Sequence, residues 1–238
     1  MTHVIVWDIE TIPDLAGFAA ANGLTGSSAE VRAEIGEKFP KPLYHSVVCI
    51  GALVAERRDE GWHILASGAP HVGERSESEL IKAFVDKIAE LRPQLVTYNG
   101  SRFDLPVLRY RAMLHKLAAP GLYVRPYFHR YTDDAIDLCD VLSSFQPSSN
   151  VKLDELTKLM GLPGKPAAIS GSEVEEFYRE GKIQEIADYC LSDVVNTYRL
   201  WLRYELFRGA LPEAAFLASE EGLATHMERR NQGERATS

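Results

Sequence analysis

Cysteine is scarce: Cys49, Cys139 and Cys190 are the only three in 238 residues. Their number is odd and their spacing wide, so neither a disulfide framework nor a CxxC metal site can be drawn from them. They read as buried thiols in a reducing compartment. Long apolar runs are missing as well, because no stretch reaches the roughly 18 residues that mark a membrane helix. The N-terminus, MTHVIVWDIE, has no basic segment and no small-residue cleavage site, and it carries Asp8 and Glu10 where a leader would be apolar. The expectation is a cytoplasmic protein with no membrane partner. Basic residues are also in deficit, with Lys plus Arg 26 against Asp plus Glu 34 and a net charge of −8. Such a balance excludes a protein that coats nucleic acid non-specifically. It leaves room for an enzyme whose carboxylates hold cations, since bound cations reverse the local field. No internal repeat, low-complexity tract or clear linker is seen.

What is present suits a folded enzyme. Hydrophobic residues make up 45% and charged residues 25%, enough apolar surface to bury a core. Residues 3–7 form an apolar strand running into Asp8-Ile9-Glu10. Residues 13–44 are rich in Pro and Gly and read as a long irregular stretch, helical at most over 29–39. Residues 46–55 and 62–67 read as an antiparallel hairpin around the polar turn 57–61. Ser76-Glu-Ser-Glu79 is a capping box ahead of an amphipathic helix that Pro93 ends. A strand over 95–98 follows, and strand, helix, strand implies a parallel crossover. A helix over 104–117 tolerates Pro106 in its first turn. A loop (118–132), an extended segment within 135–141, short helices at 153–160 and from Ser172, a long helix over 182–207 and a last helix over 212–227 complete the chain. This order predicts one α/β domain on a mixed central sheet flanked by helices. The domain is placed at residues 1–228, with a disordered, fraying polar tail over 229–238.

Three separated acidic places stand out. Asp8 and Glu10 are i and i+2 on a strand, so they share a face. Two carboxylates that close repel unless a cation neutralises them. Asp104 closes Asn99-Gly-Ser-Arg-Phe103-Asp104 just after a strand. It either caps the next helix or stands at the sheet edge where α/β sites gather. Tyr189 and Asp193 are i and i+4 on the long helix, either a surface hydrogen-bonding pair or part of a site.

Together, D-x-E-T, then N-x-x-x-F-D, then Y-x-x-x-D resembles the DEDD superfamily of 3′→5′ exonucleases, in the tyrosine subtype typified by polymerase proofreading domains. The histidine subtype would place His five residues before the last Asp, and that position here is Asp188. Asp137-Leu-Cys-Asp140, the 153–161 helix, Gly161-Leu-Pro-Gly-Lys165 and Asp188-Tyr-Cys-Leu-Ser-Asp193-Val resemble a predicted bacterial branch related to the exonuclease domain of family B polymerases. The resemblance covers about residues 3–207. No polymerase domain follows, so it implies an enzyme acting by itself.

The resemblance implies an RNase H-like fold. It also implies two divalent cations, Mg²⁺ or Mn²⁺, held by Asp8, Glu10, Asp104 and Asp193. Hard cations prefer such oxygen ligands, and a pair of them stabilises the attacking and leaving oxygens of a phosphodiester. Tyr189 would orient the attacking water and help deprotonate it. The substrate would be single-stranded nucleic acid with a free 3′ end, DNA favoured over RNA, and the products nucleoside 5′-monophosphates. An exoribonuclease trimming RNA, and a catalytically weak nucleic-acid-binding module on the same fold, are the alternatives.

Substrate-binding candidates are Thr11, Asn99, Arg102, Phe103, Arg109 and Arg130. Residues 105–132 contain no Asp or Glu, while Arg109, Arg111, Lys116, Arg125 and Arg130 interleave with tyrosines and Phe128. Basic and aromatic residues suit phosphates and unpaired bases. An amphipathic helix and an aromatic loop packed on the core would read the same way. Lys165 is a further phosphate candidate or a solvated loop lysine. His3, His45 and His63 read as structural, and Ile186, Cys190, Val194 and Thr197 as a core face.

Overall fold

The structure is a computed structural model that describes residues 2–36, 39–163 and 171–236. Five strands form one sheet: β1 (His3–Pro13), β2 (His45–Arg58), β3 (Gly61–Gly68), β4 (Gln94–Thr97) and β5 (Ala135–Asp137). Their order is β3-β2-β1-β4-β5. β1 pairs antiparallel with β2 and parallel with β4, and β4 is parallel to β5. The expected hairpin is therefore β2–β3. The expected crossover carries the chain to β4, which adds beside β1.

β1 is the central strand, and its alternation assigns the two faces of the sheet. Ile5, Trp7 and Ile9 pack with α3 (Glu77–Leu91) and α4 (Asp104–Leu114). Val4 and Val6 pack with α8 (Ile183–Phe207) and α9 (Glu213–Ala236). Val4, Ile5, Val6 and Trp7 are at most 1% exposed. Fully burying each such side chain contributes roughly 1.5–3 kcal/mol. Asp8 and Glu10 fall in step with Val4 and Val6, so the same pattern that buries the strand turns both carboxylates toward α8.

Helix α3 obeys its expected start signal, whereas α4 starts after Phe103 without a side-chain cap. Ser76 and Glu79 cap α3 reciprocally, as the sequence predicts. Buried Arg111 of α4 ties three elements together: its guanidinium donates to Glu77 of α3 and, at 2.5 Å, to Asp14. Glu77 also accepts from the Val47 backbone of β2 at 2.7 Å. Among the described residues no helix is long and apolar enough to cross a membrane.

Two stretches differ from the sequence reading. In the stretch read as irregular, α2 (Ser28–Ile35) falls where a helix is expected, but a further helix, α1 (Leu15–Asn22), precedes it. Asp14 caps α1, which Gly23 ends in the left-handed region, and a second capping box, Ser27 with Glu30, starts α2. At the other end α9 continues to Ala236, beyond the helix limit at residue 227 and into the stretch read as a polar tail. The short helices α5 (Leu138–Leu142), α6 (Leu153–Leu159) and α7 (Val174–Arg179) lie between β5 and α8.

Candidate active site

The site starts at the end of β1. Asp8 is half-buried and Glu10 buried, and the pairing with β2 shifts register between Glu10 and Thr11 before continuing to Pro13. Such bulges re-aim side chains at strand ends and beside active sites. Across the pairing, Asp8 faces Gly51 of β2. A Cβ at Gly51 would stand 2.7 Å from the Cys190 sulfur and 3.0 Å from a Val194 methyl. The missing side chain thus lets α8 lie directly on β2. Tyr189, Cys190 and Asp193 follow from that contact, and all three are buried. Tyr189 and Asp193 are hydrogen-bonded to one another, so the i, i+4 pair is a buried feature and not a surface one.

Asp104 arrives from the opposite side, on the first residue of α4, and is 5% exposed. Gly100 makes room for it, because a Cβ there would lie 2.6 Å from Asp104 Oδ2 and 2.7 Å from Thr97 Cβ. The loop that delivers Asp104 hangs on Asp137. That carboxylate accepts from the backbone N–H of Asn99 (2.7 Å), Ser101 (2.9 Å), Cys139 (3.1 Å) and Asp140 (3.4 Å). Asn99 itself sits at φ 69°, a left-handed conformation that Asn tolerates.

Electrostatics show that the carboxylates have converged. Burial holds the Glu10 carboxyl well above the usual carboxylate range, and the charges of Asp8 and Asp193, with Cys49 and Asp104 behind them, push it further. Burial raises Asp104 too, helped by Asp8 and Asp137. Burial likewise raises the Tyr189 phenol, and Asp193, Glu10 and Asp8 add to the shift. Among the described residues no cation offsets the shifts of Glu10 and Asp104. A cluster of this kind is costly by itself and is relieved by divalent ions bound to carboxylate oxygens. The donor set therefore fits hard cations. Among the described residues, the ligand atoms that all lie within 4.8 Å of one another are those of Asp8, Glu10 and Cys190; Asp104 and Asp193 stand outside that group and reach it through their charge. The sequence reading puts Cys190 in the core. It is there, fully buried, yet its sulfur borders the acidic pair.

Asn99 belongs to the loop held by Asp137, and the other five substrate-binding candidates separate into three groups. Thr11 and Phe103 adjoin the carboxylates. The Thr11 hydroxyl bonds His45 Nδ1 at 3.0 Å, and the Phe103 ring meets His45 at 4.9 Å and Phe39 at 5.1 Å between centroids. Arg102 and Arg130 converge instead on buried Asp140, Arg130 through two 2.9 Å bonds and Arg102 at 3.3 Å. Arg109 lies over the Phe128 ring at 4.8 Å. Residues 105–132 are accordingly not one basic surface, because Arg111 and Arg125 are also held in ion pairs. Lys165 lies outside the described residues. His45 is structural, as read, though it also braces Thr11.

The family described as a predicted 3′-5′ exonuclease related to the exonuclease domain of PolB matches residues 37–238. The chain belongs to this family. The matched span includes Asp104, Tyr189 and Asp193 but begins after Asp8 and Glu10, which the fold itself joins to them. Among curated relatives, a DNA polymerase epsilon catalytic subunit of Arabidopsis thaliana is 31% identical over 138 residues, 54% of this chain and 6% of the polymerase. A DNA polymerase of Archaeoglobus fulgidus is 24% identical over 130 residues, 51% of this chain and 17% of that one. The chain thus spans a small part of the relatives it matches. The family B DNA polymerase of Pyrobaculum calidifontis superposes with a TM-score of 0.57 at 20% identity, over 87% of this chain and 25% of that one. The mixed sheet and its helices accordingly agree with an RNase H-like exonuclease fold.

Proposed function

We propose that this member of the family is a two-metal 3′→5′ exonuclease that releases nucleoside 5′-monophosphates from single-stranded DNA. The observation that carries the reading is the convergence of Asp8 and Glu10 from β1, Asp104 from α4 and Asp193 from α8 around one buried negative site. Asp8, Glu10, Asp104 and Asp193 would hold Mg²⁺ or Mn²⁺. When bound, such ions lower the pKa of water and stabilise charge on a leaving oxygen.

The chain's own residues supply position. The Tyr189 phenol is held protonated by burial and by the surrounding carboxylates. With metal bound, it would orient the attacking water and help deprotonate it. Asp193 fixes the direction of that phenol through their shared bond. Phe39 and Phe103 meet beside Asp104, with the buried His45 ring packed behind them. Aromatic faces of this kind stack unpaired bases without reading sequence, which suits a terminal nucleotide. Thr11, held by His45, completes that side. DNA is preferred because the matched relatives are DNA polymerases.

DNA and RNA oligonucleotides of one sequence, labelled at the 5′ end, provide the test. Incubated with Mg²⁺, Mn²⁺ or EDTA, the protein should shorten the DNA from its 3′ end only with metal, and the Asp8→Ala protein should not. Faster shortening of the RNA would assign the exoribonuclease alternative. No shortening of either strand would leave the binding-module reading.

A further inference from the structure

A cleft of about 290 Å³ opens on the α4 face of the sheet, between β4, β5, α4 and the loop over residues 125–131. Trp7 forms part of its floor and packs on Phe84 of α3 at 4.9 Å. Asp8 and Glu10, on alternate positions of the same strand, face α8. Asp8 and Glu10 therefore face away from this cleft, whereas Asp104 opens α4 on its side of the sheet, next to the lining residue Asp137. One wall is apolar and aromatic, with Tyr127 and Phe128. Tyr127 is fixed there, because its hydroxyl donates to the Pro93 carbonyl at 2.7 Å. The rim carries three guanidiniums, those of Arg102, Arg109 and Arg130.

The charges at this rim do not cancel. Two carboxylates stand by, Asp137 and Asp140. Asp137 is already occupied by four backbone N–H groups. Asp140 accepts from Arg130, Arg102 and the Ser101 hydroxyl. Arg109 forms no ion pair among the described residues and rests on the Phe128 ring. A cleft near 300 Å³ is at the lower bound of small-molecule sites, which are mostly apolar with a few convergent polar groups. Its aromatic wall suits a flat base, and its arginine rim suits a phosphate dianion.

We propose that this cleft is a second ligand site that binds a nucleoside 5′-monophosphate, with the base against Phe128, which the buried Tyr127 backs, and the phosphate on Arg109 and the outer edge of Arg102. The site requires no metal and does not depend on the exonuclease reading. It also touches the loop that delivers Asp104, through Ser101 and Arg102, so a ligand here lies within reach of the catalytic geometry without entering it.

Trp7 provides the reporter. The other two tryptophans, Trp62 and Trp201, pack on each other in the opposite core. In EDTA, titration with thymidine 5′-monophosphate should change tryptophan emission saturably, and calorimetry on the same protein should give the same affinity. Arg109→Met should weaken binding at least about tenfold, as loss of a charge-assisted contact does, and Trp7→Phe should remove the optical signal while heat remains. Asp8→Asn should bind as the unaltered protein does. If Trp7→Phe fails to fold, calorimetry with Arg109→Met decides the matter alone. Absence of heat with the mononucleotide, or binding that needs Mn²⁺ and disappears in Asp8→Asn, would overturn the proposal. Inorganic phosphate binding as tightly as the nucleotide would overturn the base contact. A thymidine oligonucleotide binding in EDTA far more tightly than the monomer, with loss in Arg109→Met, would assign the cleft to an internal nucleotide of a strand and refute the free monophosphate as its ligand.

Discussion

Gly51→Ala adds one carbon where the packing leaves no room. The new Cβ would lie 2.7 Å from Cys190 Sγ, 3.0 Å from Val194 Cγ2 and 3.3 Å from the Cys190 carbonyl. Comfortable non-bonded contacts are about 3.5–4.0 Å, so α8 must retreat by roughly 1 Å at this level. Overpacking of this size costs about 1–3 kcal/mol. The functional loss should be larger than the stability loss suggests. Tyr189 and Asp193 ride on the same turns of α8, and a displacement of about 1 Å in a catalytic group can cost about 10²-fold in rate. The assay is single-turnover cleavage of a 5′-labelled oligonucleotide with saturating Mn²⁺, alongside denaturant unfolding. Adding Cys190→Ala removes the clashing sulfur and should recover much of both losses. Gly222→Ala serves as the control, because its Cβ meets nothing within 4 Å and it lies in α9. That change should raise stability by about 0.5–1 kcal/mol. A Gly51→Ala protein with unaltered turnover and stability would show that this contact does not position α8.

Tyr189→Phe should lower kcat more than it raises KM, since a group that orients water acts after binding; equal loss of substrate affinity and folding stability would make Tyr189 structural. Metal-free protein should respond to pH through Glu10. Its folded carboxyl is held above the ordinary range, so the unfolded chain loses that proton first as pH rises. Stability from this group is full below about pH 4.5 and falls as pH rises toward the folded value. In EDTA the advantage of Glu10→Gln over the unaltered protein should therefore widen as pH rises above about 4.5, as thermal unfolding would show, and a constant difference would refute the burial argument. Asp137→Ala removes the acceptor of four backbone bonds and should cost about 2–4 kcal/mol in urea unfolding; a loss below about 1 kcal/mol would mean that the Asn99–Asp104 loop stands without it.

Much of the site can be read from the chain because its logic is local. Asp8 and Glu10 share a face through strand alternation, and Tyr189 and Asp193 through helical spacing, so each pair is visible before any packing is known. The capping box at Ser76 is visible for the same reason. What escapes is what depends on a distant partner. Nothing around Gly51 in sequence announces Cys190 and Val194. Asp137 looks like part of a D-x-x-D pattern, yet its role lies in the loop that delivers Asp104. Helix α1 escapes because Leu15–Asn22 has no buried residue and so no amphipathic stripe. Arg130 and Arg111 look available for phosphates because their carboxylate partners, Asp140, Asp14 and Glu77, lie on other elements.

The contact that seats α8 on β1, from the Cys190 thiol to the Asp8 carbonyl, joins residues 182 positions apart. During synthesis, β1 meets β2 and β4 long before α8 exists. Closing such long-range contacts is slow, and partly folded chains of this size expose unpaired elements. A growing or truncated chain therefore carries Asp8, Glu10 and Asp104 without Tyr189 and Asp193. Under the proposed function such a chain cannot cut the nucleic acids around it, so the hydrolytic centre becomes complete only when nearly the whole domain has been made and folded.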